Sequence, residues 1–196
     1  MIKKRYPSNQ YLLQVTKTWI KKIFTGRPVD IRHLYRTEYW IKKLEPRADI
    51  ALRLAALTHD AERALKDVEK YHAKYKAMKH GMQDTAHLEQ HQRIGARIVG
   101  NFLKHQNANP EIIQSVKKLI LKHETGGTPE QNLVKDADSV SFFENNIPYF
   151  LTTIAARVGI LKTREKIDWM FNRITAPQAR AVARQWYRQA IKKLDN

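Results

Sequence analysis

Apolar residues recur along this chain at the three- and four-residue spacing of amphipathic helices, and no alternating β-branched run interrupts them. The first such set, Tyr11, Leu12, Val15, Trp19 and Ile23, predicts a helix that Ser8 or Asn9 caps and that runs to about Phe24. After the turn TGRPVD, Asp30 is expected to cap a second helix, IRHLYRTEYWIKKL, which Pro46 ends. Asp49 opens a third, holding an apolar run that stops at His59 and Asp60. After KHGMQD, a long helix from about Thr85 to His105 follows, and NANP breaks it. Pro110 sits in the first turn of the next helix, which ends at HETGGTPE. QNLVKDADSVSFFENN resumes the helical pattern, Pro148 marks a junction, and amphipathic segments at about 150–173 and 176–194 close the chain. The reading is an all-α fold: one domain over residues 1–196, with a C-terminal helical extension from about 148 packed as a hairpin on the same core.

Composition narrows the chemistry. Cysteine is absent, so there is no disulfide and no thiolate, and imidazole and carboxylate must hold any metal. No stretch of about 18 apolar residues predicts a membrane span. The start, MIKKRYPSNQYLLQVTK, has basic residues without a following apolar region, so the expected location is cytoplasmic, with no membrane partner. Lys and Arg number 36 against 19 Asp and Glu, a net charge of +17. Residues 1–28 carry seven of these bases and no acid, and residues 161–196 carry nine bases against three acids. Such an excess attracts anions, nucleic acid among them, but does not choose one.

The eight histidines are unevenly placed. His33 lies between Ile31 and Leu34, His59 follows LAAL, His91 precedes RIGARIV, and His123 follows VKKLILK. His72, His80 and His105 read as surface residues. With Asp60, and with Asp138 in VKDADSVSFF, an ordered set emerges: His33, His59–Asp60, His91, His123, Asp138. Neutral imidazole beside carboxylate suits Mn, Fe, Zn, Ni, Co or Mg better than Ca. One helix cannot wrap an ion, so these ligands would have to converge from several helices. Neighbours on a helix point about 100° apart, so His59 and Asp60 can share a metal only by straddling its direction.

These motifs resemble the HD-domain superfamily of metal-dependent phosphohydrolases. DIRHLYRTEYW is similar to its first motif, RLAALTHDAERA to its His-Asp doublet, EQHQRIGARIVGNFL and SVKKLILKHE to its two further histidine motifs, and LVKDADSVSFFE to its last. The resemblance covers roughly residues 28–145 and implies an HD-type helical bundle holding one or two divalent transition-metal ions. It implies His33, His59, Asp60, His91, His123 and Asp138 as ligands, with Asp60 bridging two ions. A metal-bound hydroxide would then hydrolyse a nucleotide or another phosphorylated small molecule.

Alternatives stand beside several of these residues. Asp136 competes with Asp138, but two positions on a helix differ by about 200°, so both cannot face one site. His87 competes with His91, one turn away on the same face, although Gly95 and Ala96 after His91 fit the motif better. Glu62, three residues after His59, could orient that histidine or serve as the general acid. Arg36, one turn from His33, and Arg63, three residues after Asp60, are candidate ligands for a substrate phosphate. Tyr35, Tyr39, Trp40, Phe142 and Phe143 read as core, and the last helix as packing through Val182, Trp186 and Ile191. Two other functions fit the same residues: an HD-type di-iron oxygenase, and a non-catalytic module binding nucleotides or nucleic acid.

Overall fold

Prolines and short polar side chains set most of the helix starts. The computed structural model describes residues 5–65 and 83–195. In α1 (Asn9–Ile23) the Ser8 hydroxyl accepts the Tyr11 amide at 3.2 Å. α2 (Pro28–Leu44) has proline in its first turn. Asp30 does not cap it as the sequence suggested: it lies inside that first turn and pairs with Arg27 at 2.8 Å. The cap position falls on Arg27 because proline at residue 28 already has a helical φ and no N–H to satisfy. α3 (Ile50–Thr58) starts at Asp49, whose carboxylate accepts the Leu52 amide at 2.8 Å, and a short 3₁₀ turn (Ala61–Leu65) follows the doublet. α4 (Thr85–His105), α5 (Pro110–Ile120) and α6 (Pro129–Asn145) are capped by Asp84, Asn109 and a reciprocal Thr128–Gln131 box.

The stretch from 147 to 158 departs from the regular helix expected of residues 150–173. A π-helical turn (Phe150–Ile154) interrupts it, and Gly159 ends it at φ 93°. α7 (Ile160–Asn172) and α8 (Pro177–Asp195) then form the C-terminal pair. The described residues are all-α, with no strand among them. His72 and His80 lie outside the described residues; His105 is exposed on α4.

α3 is the axis of the bundle. Leu54, Ala55, Ala56 and Leu57 are fully buried, packed among α1, α2, α5 and α6. Around them Leu12, Ile41, Val99, Leu103, Val116, Ile120 and Val134 make one apolar core. Burying such side chains contributes roughly 1.5–3 kcal/mol each before the entropy of ordering is counted. A second core joins α6 to the C-terminal pair through Val140, Phe142, Phe143, Ile167, Met170 and Phe171. Tyr187 of α8 stacks on Phe171 with centroids 4.2 Å apart, and Trp186, Val182 and Ile191 pack beside it. Trp40 and Leu44 of α2 touch both cores. No described helix is long and apolar enough to cross a membrane.

A polar clamp fixes the C-terminal pair to α6. Asp136, 1 % exposed, accepts the Thr175 and Ala176 amides at 3.0 and 2.7 Å and the Thr175 hydroxyl at 3.0 Å. It also pairs with buried Lys135 at 2.9 Å. Asp136 therefore anchors the start of α8 and faces away from the ligands that include Asp138. Removing it leaves a buried ammonium without its counter-charge and frees two amides. Asp136→Ala should lower unfolding free energy by about 3 kcal/mol. Urea denaturation of purified wild type and variant measures this directly.

Candidate metal centre

Five elements deliver the six ordered residues to one place. His33 comes from α2, His59 and Asp60 from the end of α3, His91 from α4, His123 from the turn after α5, and Asp138 from α6. None is more than 9 % exposed. Two groups lie within metal-binding reach: His33, His59 and Asp60, and Asp60, His91 and His123, with the ligand atoms of each group within 4.8 Å of one another. Asp60 belongs to both. Its Oδ1 is 3.1 Å from His91 Nε2 and 3.8 Å from His123 Nε2, and its Oδ2 is 3.8 Å from His59 Nε2. Asp138 joins the first group, with Oδ1 3.0 Å from His33 Nε2 and 3.4 Å from His59 Nε2.

Each imidazole is oriented by the same logic: Nδ1–H is given to a fixed acceptor, so Nε2 faces inward. α3 and α5 both stop just before their histidine. His59 Nδ1 donates to the Ala56 carbonyl at 3.0 Å, and His123 Nδ1 to the Ile120 carbonyl at 2.8 Å. A carbonyl in the last turn of a helix lacks an intrahelical partner, so the histidine satisfies the helix end while the helix end orients the histidine. His91 Nδ1 donates to Glu62 at 2.9 Å. The Ser141 hydroxyl donates to the His33 carbonyl at 2.8 Å and so accepts from His33 Nδ1 at 3.0 Å. Carboxylate, carbonyl and hydroxyl acceptors of this kind fix the ring orientation of metal-binding histidines.

The donor set fits a divalent metal. His59 Nε2 and His123 Nε2 are buried and make no hydrogen bond, although Asp138 and Asp60 oxygens lie 3.4 and 3.8 Å away. A buried ring nitrogen without a hydrogen-bond partner is costly, and a metal would satisfy it, at His59 by displacing a proton. Burial lowers the His123 pKa to about 4, which keeps its lone pair free. Burial also acts to lower His59, but Asp60 and Asp138 outweigh it and raise that imidazole to about 9. Burial would raise the two carboxylates, yet Arg63 and His59 hold Asp60, and Arg173 and His59 hold Asp138, well below the usual range.

The close approach of α4 depends on a glycine. A Cβ on Gly95 would stand 3.3 Å from the His59 carbonyl oxygen and 3.9 Å from Glu62 Cβ. After His123 the turn needs Gly126 at φ +75°, where an added Cβ would meet the Asn132 side chain at 2.1 Å.

Other expected residues fall differently. His87 is buried near the start of α4 but belongs to neither ligand group, whereas His91 belongs to one. Glu62 orients His91, not His59, because the chain leaves α3 after Thr58 and tightens into a 3₁₀ turn, so the i+3 helical relation to His59 is lost. Arg63 sits at the site, 2.8 Å from Asp60 and 3.7 Å from Glu124. Arg36 is engaged elsewhere. It binds Glu144 through two nitrogens at 2.8 and 2.6 Å and stacks over Tyr39, tying α2 to α6.

Sequence reasoning missed Ser141, Glu124 and Arg173. Arg173, just past α7, pairs with both Asp138 and Glu124 and donates to Ser139 at 2.8 Å. Burial would raise Glu124, but Arg173, Lys166 and His123 lower it to about 2. No motif flags Arg173 or Ser141. Glu124 follows a candidate ligand directly, and that adjacency was the one available signal.

Ser141→Ala should weaken metal binding by about tenfold or more, because His33 loses the acceptor that fixes its ring. Competition with a chromophoric chelator measures the change, and an unaltered affinity would show that His33 needs no such support.

A family model matches residues 11–192, which takes in the ligand helices and nearly all of the C-terminal pair. No curated protein and no solved structure matches the chain. On that match the chain belongs to the DUF4202 family, a domain of unknown function.

Proposed function

We propose that this protein is a metal-dependent phosphohydrolase of the HD type, acting on a nucleotide or another phosphate ester. One observation carries the reading: two histidine groups that share Asp60, with every Nε2 turned inward by an acceptor on its Nδ1. The order of the ligands along the chain supports kinship with the HD superfamily. Divalent ions in such a cradle supply positive charge to a phosphoryl group and lower the pKa of bound water.

The chain's own residues would do the rest. Asp60 would hold both groups in register. Arg63, bonded to Asp60, would face the phosphoryl oxygens as an anchored cation. Glu62 would keep His91 in the metal-binding tautomer, and its buried carboxylate is the candidate to pass a proton at the leaving group.

Elemental analysis of full-length protein, purified without a metal-binding tag, should find about two equivalents of a divalent transition metal per chain. Asp60→Ala should lose metal and reduce phosphate release from nucleotides or other phosphate esters by about a hundredfold or more, with its helical circular dichroism retained. Full activity in Asp60→Ala, or no metal in wild type after reconstitution, would overturn the reading. Iron with a mixed-valent magnetic signal and no phosphate release would replace hydrolysis by oxygen chemistry.

Metal binding should also depend on pH in a defined direction. His59 is an imidazolium below about pH 9, and a metal must displace that proton. Affinity should therefore rise with pH up to about 9 and level off above it. Calorimetry at pH 7 in buffers of different ionisation enthalpy should show net proton release.

A further inference from the structure

Two lysines are almost wholly buried among the described residues, and their surroundings differ. Lys135 donates to Asp136 at 2.9 Å, to Thr175 at 3.2 Å and to the Arg173 carbonyl. Lys166 of α7 is 6 % exposed, and its ammonium lies 4.2 Å over the Trp169 ring. Among the described residues its Nζ has no hydrogen-bond partner, and it is not one of the fully buried unpaired atoms, so its donors reach solvent at the edge of the site. A ring face attracts a cation but leaves three N–H donors unmet. An ammonium held this way, with its stem buried and its donors open, is placed to take an anion in exchange for water.

The surroundings name the anion. Arg173 lies over the same Trp169 ring at 4.5 Å and pairs with Glu124 and Asp138. The charges that act on Lys166 are Glu124, Arg173, Arg63 and Asp138. Burial lowers its pKa to about 8, so at neutral pH it is still mostly charged. The corner thus has three cations, Arg63, Lys166 and Arg173, against four carboxylates, Asp60, Glu62, Glu124 and Asp138. With the imidazoles neutral, as metal binding requires, that is a deficit of one positive charge. Two divalent ions would turn it into an excess of three, and among the described residues Lys166 is the cation of the three with no carboxylate paired to it in direct contact.

We infer that Lys166, braced on Trp169 beside Arg63 and Arg173, binds a phosphoryl oxygen of the substrate and selects dianionic phosphate monoesters over diesters. This rests on the reading of the centre as a metal-dependent phosphohydrolase. A monoester carries a charge of about −1.5 to −2 at pH 7, whereas a diester has one ionisable oxygen and a charge of about −1. The monoester therefore offsets the excess more fully and offers an extra oxygen to the ammonium.

The test uses metal-loaded, full-length wild type, Lys166→Met, Lys166→Gln and Lys166→Arg, with metal content measured on each. Inorganic phosphate is the calorimetric probe; para-nitrophenyl phosphate and bis-para-nitrophenyl phosphate are the kinetic pair. The Met and Gln variants should keep their metal and melt no lower than wild type, since they lose no native hydrogen bond. They should bind phosphate about tenfold or more weakly, with the monoester-to-diester ratio of kcat/KM falling similarly and Lys166→Arg recovering part of it. Unchanged phosphate affinity at full metal content would overturn the assignment of Lys166 and leave the metal centre standing. Loss of metal or of melting temperature in both neutral variants would mark the lysine as structural and overturn it too. A wild type that takes up no metal would overturn the phosphohydrolase reading and this inference together.

Discussion

The centre of this protein depends on what happens at Nδ1 of four imidazoles. A neutral histidine has one N–H and one lone pair, and in an apolar bundle both must be accommodated. Here each N–H goes to a fixed acceptor at 2.8–3.0 Å: two helix-end carbonyls, one serine and one glutamate. The lone pairs then have one direction left, inward. That constraint dictates where α3 and α5 stop. Had either helix continued a further turn, its histidine would project from a regular helix and could not fold back onto the carbonyl three residues before it.

Around the imidazoles the charges alternate. Arg63 touches Asp60 and approaches Glu124, Glu124 pairs with Arg173, and Arg173 pairs with Asp138. Asp60, Glu124 and Asp138 each face at least one of these guanidiniums, and this is what holds them ionised in spite of burial. Because Arg173 comes from the end of α7, the C-terminal pair is electrostatically part of the centre. Asp136 fastens the same segment from the other side through Thr175 and Ala176, so the two aspartates of the VKDAD stretch act on opposite faces of α6. One orients the hairpin, and the other belongs to the cluster.

Helix order was legible because apolar spacing, prolines and caps act locally. Asp49, Pro110 and Thr85 mark helix starts by chemistry contained within four residues. The histidine and aspartate positions were legible as an ordered set, and the 200° rule separated Asp138 from Asp136 correctly in direction. Where the reading went astray, the chain left the ideal helix. Glu62 was placed by an i+3 relation that the 3₁₀ turn abolishes, and Asp30 was displaced as a cap by the proline two residues before it. Ser141, Glu124 and Arg173 stayed invisible for another reason. Their roles arise from contacts between elements: Ser141 meets a residue 108 positions away, and Arg173 meets one 49 positions away. No local pattern encodes such pairings.

The same distinction separates the two buried lysines. Burial alone marks both as anomalies, since lysine is rarely buried without a partner. Lys135 is explained by the fold: three acceptors surround it, and one of them caps α8. For Lys166 the described residues supply a ring and a buried stem but no acceptor. The contrast is between an ammonium whose donors the fold takes up and one whose donors it leaves open. The donors of Lys166, left to solvent beside the metal-binding cluster, are free to be taken up by an incoming anion. On this argument the open donors of Lys166 serve the substrate, as the inward Nε2 atoms of His59 and His123 serve the metal.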